Sequence, residues 1–142
     1  MAFAGVNYWA ILIGALAAWA FGAFYYMILS RPWLAAQGKT PEEFQAMQAG
    51  PRGAKFYAPF VISLVAEIIM GWVLVGIMTH IGAMTVRGGL ISAAFVWFGF
   101  VLTTITVNNA FSMRRPLLTV IDAVHWLGAL LIIGAVIGAF GS

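Results

Sequence analysis

Four stretches of this chain, each more than twenty residues long, carry almost no charge. Val6 to Leu29 has none, Phe56 to His80 has only Glu67, Val86 to Phe111 has only Arg87 near its start, and Leu117 to Phe140 has only Asp122. A helix rising ~1.5 Å per residue needs about 20 apolar residues to cross ~30 Å of hydrocarbon. Each run is therefore long enough for one membrane span. Barrel strands would be about ten residues long and would alternate; these runs do neither. Composition closes the other routes. Only 8% of the 142 residues are charged and 63% are apolar, against about 25% charged in an ordinary soluble domain. That excludes a soluble globule, which needs a charged surface, and a disordered chain, which needs low hydrophobicity. The expected fold is all-α, a single-domain integral membrane four-helix bundle over 1–142, with spans at about 6–29, 56–80, 86–111 and 117–140.

Residues 30–55 form the one sizeable extramembrane segment. Thr40-Pro41-Glu42-Glu43 predicts a helix start, with Thr40 as cap, Pro41 at the first helical position and Glu43 completing a capping box. Gly50-Pro51 stops it. This short amphipathic helix puts Phe44 and Met47 on one side and is expected to lie on the membrane surface or fold over the bundle. A shorter turn, Pro32 to Gln37, carries Trp33 and ends at Gly38. The other two connections, near 81–85 and 112–116, are tight, so their flanking helices are antiparallel neighbours.

Cations set the orientation. Arg31, Lys39, Arg52, Lys55, Arg114 and Arg115 lie in the first and third loops; only Arg87 lies toward the opposite side. Positive residues stay cytoplasmic. Both termini are therefore expected outside and 30–55 inside, in a bacterial cytoplasmic (inner) membrane. Tyr8 and Trp9 then mark the outer interface, and Tyr25, Tyr26 and Trp33 the inner one. Basic residues used this way speak against a nucleic-acid partner; the bilayer is the expected one. Cysteine is absent, which removes disulfides and thiolate ligands.

Small residues mark the packing faces. Gly14, Ala18 and Gly22 repeat every four residues on the first span, and Gly134 and Gly138 do so on the fourth. In lipid, helices associate where small side chains let backbones approach. The contact made by these faces, within one chain or between copies, is open at this stage.

Polar residues inside the spans are the candidate site. Counted from the inner boundary at ~1.5 Å per residue, Asp122 and Asn108 lie ~9 Å deep, His125 ~13 Å, and Glu67 ~16 Å, near the midplane. Thr104 is one turn deeper than Asn108. Asp122 and His125 share a helix face, as do Thr104 and Asn108, and Ser63, Glu67 and Gly71. An ionised side chain facing lipid is costly, so the expectation is one inward cluster of Glu67, Asn108, Asp122, His125 and Thr104, with a carboxylate paired to imidazolium. Asp122 has the alternative of snorkelling to Arg114 or Arg115. His80, at the outer end of its span, does not match His125 in depth, so a bis-histidine haem is not expected, while single-His ligation of a haem or chlorin at His125, with Trp126 beside it, stays open. No cofactor, metal motif or catalytic residue is expected.

Two longer stretches carry a resemblance. One is Phe21-Gly22-Ala23-Phe24-Tyr25-Tyr26, then Arg31-Pro32-Trp33-Leu34 and Gly38-Lys39-Thr40-Pro41-Glu42-Glu43. The other is Asn108-Asn109-Ala110-Phe111, then Arg115-Pro116-Leu117, Ile121-Asp122-Ala123-Val124-His125-Trp126 and Gly134-Ala135-Val136-Ile137-Gly138-Ala139. Together they resemble the small membrane family catalogued as domain of unknown function 1761. That family usually has Trp-Tyr where this chain has Tyr25-Tyr26, and often an acid at Ser112. The resemblance implies a four-helix bacterial membrane protein and implies no activity. The expected function is a small non-enzymatic membrane protein. It would be either an oligomeric carrier of protons, ions or small solutes using the polar cluster, or a structural or accessory subunit of a larger membrane complex. An intramembrane enzyme ranks third.

Overall fold

The computed structural model describes residues 4–141. It is all-α, and no strand occurs among the described residues. In chain order the helices are α1 (Tyr8–Ile28), α2 (Ser30–Ala36), α3 (Pro41–Gln48), α4 (Ala54–His80), α5 (Val86–Val96), a π-helical segment (Trp97–Leu102), α6 (Thr103–Phe111) and α7 (Pro116–Phe140). α5, the π segment and α6 run on as one span, Val86–Phe111, so four helices are long and apolar enough to cross a membrane. Their starts follow local chemistry. Asn7 caps α1 by accepting from the Trp9 N–H at 3.1 Å, and Thr85 caps α5 by accepting from the Gly88 N–H at 3.0 Å. Pro116, in the first turn of α7, gives up an N–H that would have had no helical partner.

Helix α7 is the centre of the bundle. Of its most apolar stretch 44% is buried, against 28% in α1 and α4 and 11% in the third span. The small residues explain why neighbours approach it so closely. Gly14 lies where an added Cβ would stand 3.4 Å from Ile133 Cα, Ala18 is wholly buried, and Gly22 faces His125. On the other side of α7, Gly134 meets the Gly89 carbonyl and Gly138 meets the Thr85 carbonyl closely enough that a Cβ would overlap either. Both small-residue faces are thus seams within one chain, α1 on α7 and α5 on α7.

The third span changes face midway. Gly89, Ser92 and Ala93 are buried against α7. A regular helix would carry that face on through Thr104 and Asn108, at about 3.6 residues per turn. The π segment inserts one extra residue, which rotates everything after it by about 100°. From its end onward the half-buried positions are Val101, Leu102, Ile105 and Asn109, while Thr104 and Asn108 are exposed. Threonines take up the loosened carbonyls: Thr103 Oγ1 donates to Gly99 O at 2.9 Å and Thr106 Oγ1 to Leu102 O at 2.7 Å. The Trp97 indole N–H donates across to Ala123 O at 2.7 Å, which ties the π segment to α7.

The two ends of the bundle differ. At one, the Asn7 side chain donates to Phe140 O at 2.9 Å and its N–H to Gly141 O at 3.0 Å, so the terminal segments meet. At the other, Arg115 Nη1 donates to Ala35 O at 2.6 Å, which joins the first and third loops and gathers six cations there. The capping box at α3 is present: Glu43 N–H donates to Thr40 Oγ1 and Thr40 N–H to Glu43 Oε2. α3 folds over this end of the bundle. Phe44 is half-buried and edge-on to Trp33 at 6.4 Å, whereas Met47, expected on the same side, is exposed.

Candidate functional site

A cavity of about 480 Å³ opens between α1 and α4 at the cation-rich end of the bundle. α1 contributes Trp19, Gly22 and Tyr26, and α2 and α3 contribute Trp33 and Phe44 as a roof. α4 contributes Pro59, Phe60, Ser63 and Glu67, and α7 contributes His125. The sequence builds this hollow in two ways. Gly22 has no side chain to fill it. Pro59, inside α4, has no N–H for the carbonyl one turn back, so α4 lacks one rung of its ladder at the cavity wall. The Trp19 indole N–H donates to Phe60 O at 3.0 Å and so holds α1 to α4 beside it.

Glu67 lies at the middle of α4, with thirteen residues on either side. It is 1% exposed, and its Oε2 has no hydrogen-bond partner among the described residues. The rest of its stripe is ordered around it. Ser63 Oγ donates to Phe60 O at 2.9 Å, and Gly71 lets α4 pass Ile11 and Ile133.

His125 is held by rings rather than by hydrogen bonds. Phe21 lies parallel to it at 6.1 Å, and Tyr26 and Trp126 approach to 4.9 Å. A Cβ on residue 22 would come within 2.6 Å of Nε2. Gly22 therefore serves the imidazole, where the sequence had suggested backbone approach alone. His125 Nδ1 is buried with no partner among the described residues.

The expected single cluster is divided. Glu67 and His125 share the cavity, but no ion pair joins them. Asp122 lies one turn away on α7 and accepts from the Tyr26 hydroxyl at 2.7 Å; Arg115, an expected partner, is committed to Ala35 O. Tyr25 donates to Ile121 O at 2.8 Å. Tyr25 and Tyr26, expected in an interfacial belt, thus turn inward and tie α1 to α7. Asn108 and Thr104 are not brought to the site, because the π segment turns them outward. Their neighbour Asn109 faces α7 instead and donates to Thr119 Oγ1 at 3.0 Å. His80 sits exposed at the far end of α4 against Gly76 O.

Tyr26 and Phe21 are the site contributors that counting polar residues missed: Tyr26 lines the cavity and Phe21 stacks on His125. Tyr26 had a readable signal. It lies four residues after Gly22, so it continues the packing stripe of α1.

The arrangement offers one carboxyl group, one imidazole and an aromatic wall, in a space within the ~300–1,000 Å³ typical of small-molecule sites. Among the described residues no group of three His, Cys, Asp or Glu could hold a metal ion. The sequence model of a family described as "Protein of unknown function (DUF1761)" matches residues 9–138. No curated protein and no solved structure matches the chain.

Proposed function

The chain belongs to the DUF1761 family of proteins of unknown function, and from that premise we propose that it is a non-enzymatic carrier of a small solute, with Glu67 and His125 as its polar contacts. The observation that carries this reading is Glu67: a mid-span acid, almost wholly buried, with an oxygen that nothing among the described residues satisfies. Acids at that depth are costly and tend to mark substrate or proton pathways. Structural glue would be expected to find a partner within the bundle, as Asp122 does with Tyr26. We place the protein in the bacterial inner membrane with both termini outside, because the six cations gather at one end.

Reconstitution in liposomes tests the reading. Wild type should carry proton or cation flux. Glu67→Gln, which keeps shape, and Glu67→Leu should both abolish that flux without lowering thermal stability, since the buried carboxyl has no partner to lose among the described residues; a Leu variant that loses stability would mark Glu67 as structural glue. Full flux in the Gln variant, or none in wild type, would turn the choice to the accessory-subunit reading.

One observation favours association as a second part of the reading. α6 has no buried residue, and its exposed face carries Asn108 and Thr104 within a span apolar enough to cross a membrane. An amide facing lipid is satisfied when a second helix brings another; in model peptides such pairs contribute ~1–2 kcal/mol. The partner that reciprocates most simply is a second copy, Asn108 against Asn108 across a two-fold axis. Asn108→Leu should shift the protein from dimer to monomer in lipid-mimetic cross-linking. An unchanged species distribution would mean that this face meets lipid alone.

A further inference from the structure

The cavity walls say more about the charge of the occupant than about its identity. No Lys or Arg lines the cavity, although six cations lie at the same end of the bundle. Its walls present the faces and edges of Trp19, Tyr26, Trp33, Phe44 and Phe60, and its one carboxylate group is Glu67. Aromatic faces attract cations through the ring quadrupole, most strongly where water is excluded. An unshared carboxylate in the same space needs either a proton or a counter-charge. A metal ion does not suit these walls, because hard cations require six or more oxygen ligands.

Resting on the carrier reading above, we propose that the cavity takes a lipophilic organic cation, a positive centre carried on aromatic or alkyl groups, and takes it in exchange for a proton. The protonated Glu67 carboxyl loses its O–H proton to water, the carboxylate left behind pairs with the entering cation, and the net charge of the site does not change. His125, Tyr26 and, through Tyr26, Asp122 are the other titratable groups around this exchange. His125 and Tyr26 line the wall, His125 with its Nδ1 unpartnered among the described residues, and Asp122 is already engaged by the Tyr26 hydroxyl. Glu67 is then the group that changes protonation when the site fills.

Two probes of nearly the same shape separate charge from shape: methyltriphenylphosphonium, which is cationic, and triphenylphosphine oxide, which is neutral and accepts hydrogen bonds. With the full-length protein in mild detergent and weak buffer, wild type should bind the phosphonium and release about one proton for each cation bound. Glu67→Gln should weaken phosphonium binding by at least about tenfold and release none, since one partner of a desolvated charge pair is gone. The phosphine oxide should bind wild type more weakly and be indifferent to the substitution. Gly99→Ala, away from the cavity and with nothing near the position of its Cβ, should leave binding and the proton count unchanged, and an unchanged unfolding temperature of Glu67→Gln separates loss of the charge from loss of the fold. Tighter binding of the phosphine oxide than of the phosphonium overturns the proposal, as does phosphonium binding that survives Glu67→Gln. The two readings fail separately. Proton-coupled phosphonium binding without flux in liposomes keeps the site and removes the carrier; flux blocked by Glu67→Gln without phosphonium binding keeps the carrier and removes the cation.

Discussion

Gly134→Ala should be among the most damaging single-atom-scale changes this protein can suffer. The new methyl group would be driven into the backbone carbonyl of Gly89 on α5. A backbone atom cannot rotate away as a side chain can, so the two helices must separate. Overpacking of a close-packed seam costs ~1–3 kcal/mol and more when the backbone has to move. Here the separation also strips Ser92 and Ala93 of their α7 contacts. Gly89→Ala makes the reciprocal clash with the Gly134 carbonyl and should cost as much. Because both changes break one contact, the double variant should be little worse than either alone. Gly99→Ala is the control. It sits on the same span with nothing near the position of its Cβ, and there alanine meets no steric cost. Thermal unfolding in detergent, with monodispersity followed in parallel, should show a fall of many degrees for Gly134→Ala and Gly89→Ala and none for Gly99→Ala. Equal behaviour of Gly134→Ala and Gly99→Ala would mean that α5 and α7 are not joined along this seam.

The second large effect is all-or-none. A reporter active only in the cytoplasm should work when inserted near Gln45 in α3 and stay silent when fused to the C-terminus. The cause is electrostatic: six of seven cations lie at the end of the bundle that carries α2 and α3, and cationic loops resist translocation. The packing makes the outcome indivisible. Arg115 is hydrogen-bonded to Ala35, so the first and third loops share a side, and Asn7 is bonded to Phe140 and Gly141, so both terminal segments share the other. A C-terminal reporter that works would invert the whole molecule and place the mouth of the Glu67 cavity on the outer side.

Much of this molecule is legible in its sequence, because the bilayer imposes simple rules. Span length, the absence of charge and the exclusion of barrel strands follow from hydrocarbon thickness and the need to satisfy every backbone group within a helix. The helix starts at Thr40 and Pro116 are local chemistry, decided by residues within one turn. Glu67 stands out in the sequence because a mid-span acid is costly wherever the helix happens to face.

Which side chains meet was another matter. Contact depends on the rotation of each helix about its own axis, and for the long helices that is set by neighbours, since both apolar faces and small stripes are ambiguous in lipid. The grouping of Thr104 and Asn108 with Glu67 assumed an unbroken α-helix, and the one-residue π insertion at Trp97–Leu102 turned that face outward. No composition signal announces such an insertion; it is held by the Trp97 bond to α7 and by threonines taking up the freed carbonyls. Asp122 likewise had two plausible arginine partners in the sequence, and the tertiary structure gave it Tyr26, since the α1–α7 seam brings that hydroxyl to 2.7 Å while Arg115 is taken up by Ala35 O. The sequence by itself determined that this chain crosses a membrane four times, which end carries the positive charge and which acid is buried at the midplane, because those depend on counts and depth along a single axis. Only the tertiary structure decided that Gly22 makes room for His125, that Glu67 faces a cavity instead of a counter-ion, and that Asn108 looks out of the bundle. Those outcomes depend on the angle between helices, and that angle is chosen by the packing of the whole chain.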